Sequence, residues 1–209
     1  MKNLSIKLSI FSLAILAGGL QTSNAQVLTF EGLQGGETVS NYYNGGTGGA
    51  GSTGGTNYGV SFSSNARALT GLRATGGHLH VNNYLSLPVF GAAMMNVPGG
   101  FSTGLAFDYS ALTNTSVKIY GGLNGTGSLL ASLNLTTLAL PNLWTPIGVN
   151  FAGTAKSVSF GNAPRFAAYD NITLNSARVG TAAVPEPGNV ALLIGMASVG
   201  GAFLRRRRK

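Results

Sequence analysis

Between residues 26 and 183 this 209-residue chain has no cysteine, few charges and no stretch with the 3.6-residue apolar period of an amphipathic helix. Without cysteine there is no disulfide to staple an exported domain and no thiol for lipid attachment, so stability must come from a core. Only five acids are present, Glu31, Glu37, Asp108, Asp170 and Glu186, which leaves little material for catalysis by paired carboxylates. The glycine-rich stretch contains no Gly-Lys-Ser/Thr, and no Gly-x-Ser-x-Gly elbow occurs, so phosphate-loop and hydrolase signatures are both missing. With 44% hydrophobic residues the chain can nonetheless bury a single-domain core.

The net charge of +8 suggests nucleic acid until the charges are located. Seven of the 13 basic residues lie at the extremities: Lys2 and Lys7 at one end, Arg205, Arg206, Arg207, Arg208 and Lys209 at the other. The remaining six face all five acids, so no basic surface is left and nucleic acid is not expected as a partner. Residues 1–25 read as a secretory signal peptide, with a basic start, the apolar run LSIFSLAILAGGL, and small residues Ser23 and Ala25 before cleavage at Gln26.

The other end, residues 184–209, has three parts. Val184, Pro185, Glu186 and Pro187 form a rigid, extended motif; 188–204 is uncharged and mostly apolar; 205–209 is the basic cluster. As a helix, 17 residues reach about 26 Å, just enough to span a bilayer, and the basic end fixes a cytoplasmic C-terminus. This plan resembles the PEP-CTERM sorting signal. The resemblance implies an exosortase partner in the inner membrane, transient anchoring there, cleavage near the motif, and delivery to the cell surface or extracellular matrix.

Residues 26–183 carry short alternating runs: VLTFEGL, GVSFS, RALTGLRA, GLAFDYS, TSVKIYG, SLLASLNLT, TPIGVNFAG, KSVSF and YDNITL. Val117 and Ile119 share a face, as do Leu129, Ala131, Leu133 and Leu135, and Val158 and Phe160. Turns such as NGTG and GNAP separate them, and the expected fold is all-β: an antiparallel β-sandwich, jelly-roll-like. A long Gly/Ser/Asn-rich surface loop, centred on 44–59, interrupts the strands.

The last run, FAAYDNITL, would place Asp170 on the same face as Ile172 and Leu174 if it alternated regularly, half-burying a charge. It resembles the closing strand of jelly-roll carbohydrate-binding modules. By that resemblance Asp170 would hold a structural calcium with Glu31 from the first strand; the alternative is a salt bridge to Arg73 or Arg165, or hydrogen bonds to nearby amides. His78 and His80 share a strand face but have no third zinc ligand at recognisable spacing. Tyr42, Tyr43, Tyr58 and Tyr84 lie in or beside the polar loops, where rings either stack on sugars or fold back as loop anchors. The chain therefore reads as a non-enzymatic exported surface or matrix protein with exopolysaccharide as the expected ligand. The alternatives are a structural membrane-anchored protein without a glycan ligand and a secreted hydrolase.

Overall fold

The computed structural model describes residues 24–70, the backbone of 77–81, and residues 91–161 and 167–180. The expected signal peptide, sorting motif, membrane helix and basic tail lie outside these residues, as do Tyr84, Arg73 and Arg165. Among the described residues no helix is long and apolar enough to cross a membrane.

Eleven strands form two antiparallel sheets: β1 Gln26–Leu28, β2 Ser61–Phe62, β3 Arg67–Thr70, β4 Gly77–Val81, β5 Ala93–Phe101, β6 Gly104–Ala111, β7 Thr115–Tyr120, β8 Leu129–Leu135, β9 Thr145–Asn150, β10 Ala155–Phe160 and β11 Ala167–Leu174. A single 3-10 turn at Leu123–Gly125 is the only helical element among the described residues. The six-stranded sheet runs β3-β4-β11-β6-β9, with β1 also paired to β11; the five-stranded sheet runs β2-β5-β10-β7-β8. From β5 onward the chain passes repeatedly from one sheet to the other, so each β-strand can bury its apolar face against the opposite layer. The expected antiparallel sandwich is what forms.

The core follows the alternation. Val117, Ile119, Val158, Phe160, Leu105 and Phe107 are buried from both layers, and Phe107, Phe160 and Tyr169 pack ring against ring at centroid distances of 4.8–6.2 Å. Two strands break the expected period. In β8 the register steps from Ile119↔Ala131 to Tyr120↔Leu129, so Leu130 is an extra residue and packs on the core. Leu129 is thereby turned outward, 55% exposed, although plain alternation places it with Ala131, Leu133 and Leu135. In β11 the register steps from Asp170↔Asp108 to Thr173↔Ala106, with Asn171 at φ 49°. Ala167 and Tyr169 point into the core before this bulge, Ile172 and Leu174 after it, so Asp170 does not share their face.

β5 is absent from the runs legible in the sequence. Its segment AMMNVPGGF carries a proline and two glycines that signal a turn. It is tolerated because β2 covers only Met95 and Asn96, and because the pairing with β10 jumps from Asn96↔Ser157 to Phe101↔Ala155 across the proline.

Candidate functional site

Three places concentrate polar chemistry. The first is the junction of the first and last strands. Phe30, just past β1, sits in the left-handed region at φ 59°, a conformation costly for a bulky side chain. Its amide donates to the Tyr43 hydroxyl at 2.5 Å and its ring meets the Tyr43 ring edge-on at 5.7 Å. The next ring along, Tyr42, donates its hydroxyl to the Glu31 carbonyl at 2.6 Å. Burial pushes both phenols above their usual range, and the neighbouring carboxylates add to the effect: Glu37 and Glu31 on Tyr42, Asp170 on Tyr43. Tyr42 and Tyr43 are 3% and 4% exposed, and Tyr58 stacks on Tyr43 at 6.3 Å. These three rings hold the loop against the sandwich; Tyr42 and Tyr43 are buried and offer no open face for a sugar to stack on, while Tyr58 is half-buried. For Tyr42 and Tyr43 the structure follows the loop-anchor alternative.

Asp170, 4% exposed, lies at the same junction. Its register partner is Asp108, and Asn171 serves both: the Asn171 amide donates to Asp170 Oδ1 at 2.7 Å and its Nδ2 to Asp108 Oδ2 at 2.9 Å. An asparagine is suited to this place, since it tolerates the left-handed backbone of the bulge while its amide donates to one acid and its side chain to the other. Glu31 is exposed. Among the described residues no three His, Asp or Glu side chains converge, so a cation held by Asp170 and Glu31 would draw the rest of its shell from carbonyls and water.

The second place was not legible as a site. Glu37, in the glycine-rich loop, is 6% exposed and accepts from the Gln34 amide at 2.5 Å, the Ala50 amide at 2.8 Å and the Ser52 hydroxyl. Burial by itself would raise its pKa; the hydrogen bonds from Ser52, Gln34 and Ala50 outweigh that and hold the carboxyl below its ordinary value of 4.5. The loop closes so tightly that a Cβ on Gly48 would lie 2.8 Å from Leu33 Cδ2, with the Glu37 carboxylate as close. A lone acid among small residues with free amides was the available signal.

The third is the outer face of the five-stranded sheet. Its paired rows read Met94, Ser159, Lys118, Ser132; then Asn96, Ser157, Tyr120; then Ser116, Asn134. One end is roofed by the Gly122–Gly127 turn: Ser157 Oγ donates to the Gly122 carbonyl at 2.6 Å, and Asn96 and Asn124 bond reciprocally at 2.7 and 2.8 Å. The remainder is hydroxyl and amide with one cation and no acid.

Comparison with known proteins finds no matching family model and no matching curated protein. Among solved structures, the chain is similar to the K2 cleaved adhesin domain of Lys-gingipain (12% identity, 73% of this chain, 100% of that one, TM-score 0.49). It is also similar to a family 29 carbohydrate-binding module crystallised with mannohexaose (11%, 72% and 90%, TM-score 0.45). A family 6 carbohydrate-binding module matches at 19% identity over 56% of this chain and 86% of that one, with TM-score 0.41. The likeness is one of strand arrangement at low identity, and no residue role passes from these proteins to this chain.

Proposed function

We propose that this chain is a non-enzymatic exported protein, cut from its membrane tail by an exosortase, whose β-sandwich binds extracellular polysaccharide at the cell surface or in the matrix. The observation that carries the binding reading is the acid-free hydroxyl and amide face of the five-stranded sheet, which lies on the layer opposite the first and last described strands, β1 and β11. Hydroxyls and amides each donate and accept, as sugar hydroxyls do. The ends lie together on the other layer: Gln26 pairs with Leu174, and a Cβ on Gly180 would sit 3.0 Å from Val27 Cγ2. Pro185 comes five residues after Gly180, a reach of at most about 18 Å, so a tail departing there leaves the polar face turned away from the tether. At the strand junction, calcium is the ion that the oxygen donors of Asp170 and Glu31 would suit.

Two measurements on the form recovered from outside the cell test this reading. Mass spectrometry is expected to find no peptide spanning Glu186 to Leu204, and affinity electrophoresis is expected to show retardation by the polysaccharide of the producing cells. Intact tail peptides refute the sorting, absence of retardation refutes the binding, and release of sugar products on incubation refutes the non-enzymatic assignment.

A further inference from the structure

β7 and β8 end together at the edge of the five-stranded sheet, far from the Gly122–Gly127 turn. There Asn114, Thr115, Ser116, Asn134, Leu135, Thr136 and Gly161 line an open groove of about 460 Å³. Sites for small ligands fall in the range of about 300–1,000 Å³. None of the lining side chains is ionisable.

The groove has an outer wall and an inner tier. Ser116 and Asn134, a register pair, belong to the outer face. Asn114 is set by its own contacts, its Oδ1 accepting from the Thr137 amide at 3.1 Å and the Thr137 hydroxyl at 3.0 Å. Thr115 shares the inward parity of Val117 and Ile119, and its partner Leu135 is buried. From the core side, two tyrosines that are themselves a register pair reach this tier. The Tyr109 hydroxyl lies 3.3 Å from Thr136 Oγ1. The Tyr169 hydroxyl is wholly buried without a completed hydrogen bond among the described residues, and the polar side chain that acts on it is Thr115. A buried hydroxyl in this state is unusual in a folded protein and calls for an explanation.

We infer that this groove is the polysaccharide subsite of the sandwich and that it selects an uncharged glycan; the inference rests on the binding reading above. A sugar hydroxyl seated over Thr115 accepts from the Thr115 hydroxyl, which in turn accepts from Tyr169, so ligand binding completes the inner chain of donors. Ser116 and Asn134 supply the paired donor and acceptor positions that neighbouring sugar hydroxyls match. With no charged group among the described residues of the wall, an anionic polymer gains nothing from them that a neutral one does not. A peptide adding to the edge strand β8 is disfavoured, because strand addition needs pockets for alternating side chains and the one apolar lining residue, Leu135, is only 2% exposed.

The test is affinity electrophoresis of the secreted protein in native gels containing laminarin, hydroxyethylcellulose, galactomannan, alginate or the producing cells' own polysaccharide. Retardation by at least one neutral polymer is expected, and added salt should leave it unchanged. Ser116→Ala with Asn134→Ala should weaken it about tenfold or more, Thr115→Val should weaken it without a fall in melting temperature, and Thr145→Ala, on the other sheet, should not alter it. Retardation unchanged in the groove variants overturns the groove and leaves polysaccharide binding intact. Retention by alginate alone, abolished by salt, overturns the uncharged ligand. Capture of an alternating Val-Thr peptide in place of any polymer assigns the edge to peptides instead. No retardation by any polymer defeats the binding reading itself.

Discussion

Glu37 shows how far one buried side chain can organise a segment that composition marks only as polar and glycine-rich. A carboxyl whose folded pKa lies below its unfolded value stabilises the fold at every pH above the unfolded range, and loses that contribution as the pH falls through the folded pKa. For Glu37 the loss begins below about pH 4.5. Glu37→Gln replaces one of the two acceptor oxygens by a donor facing either the Gln34 or the Ala50 amide, so we expect about 2 kcal/mol of destabilisation at neutral pH and a flatter acid limb in urea titrations taken from pH 7 to 3. A parallel acid limb in wild type and variant would show that the loop does not depend on this carboxylate. Little of this was legible: Glu37 is one acid among five, and what distinguishes it is the convergence of three donors from residues 34, 50 and 52, which no local pattern encodes. Asp170 was legible as a buried charge, since an acid in an apolar run needs a partner. Its neighbour Asn171 supplies one contact through a bulge that the alternation conceals.

At the scale of elements, strands were readable wherever one face is apolar and the pairing is regular, as in β6, β7 and β10. They were misread where an extra residue or a proline intervenes, as in β5, β8 and β11, because register is a property of two strands and the sequence of one does not state it. The tyrosine loop is a similar case: the rings were legible as loop residues, whereas the burial of Tyr43 depends on Phe30, which approaches from just past β1 and itself packs on Phe62. The strap Asn175–Gly180 was not legible at all. It crosses the outer side of the six-stranded sheet and ends with the Gly180 amide donating to Thr173 Oγ1 at 2.9 Å. Its close approach requires Gly148, where a Cβ would press into Ala177 and lie 2.8 Å from Ala106 Cβ. Gly148→Val is therefore expected to lift the strap, at a cost of about 1–3 kcal/mol for overpacking. The check is amide hydrogen exchange, with protection at Gly180 lost while β7 and β10 keep theirs. Unchanged protection at Gly180 would mean the strap tolerates the added side chain.

For the whole molecule, closure of the sandwich falls to β1 and β11, a pairing of three residues that joins the two ends of the domain in a chain without disulfides. A ligand binding only the native state at this junction would stabilise it by RT ln(1 + [L]/Kd), about 2.7 kcal/mol at 100 times Kd. For a domain of this size about 1 kcal/mol moves the melting temperature by roughly 2–4 °C, so bound calcium would be worth about 5–11 °C. Asp170 is the side chain that makes the test specific, because it is buried beside the Tyr43 hydroxyl that caps Phe30, whereas Glu31 is exposed and contributes its carbonyl to Tyr42. We expect chelator to lower the melting temperature of the secreted protein by that amount, calcium to restore it and magnesium to restore less, since magnesium demands a tighter octahedral shell than two carboxylates and scattered carbonyls provide. Asp170→Ala should melt low under all of these conditions, and Glu31→Gln should shift the calcium midpoint more than the metal-free melting temperature. Equal melting of the wild type in calcium and in chelator would remove the metal and leave protein groups, the Asn171 amide among them, to compensate the buried charge.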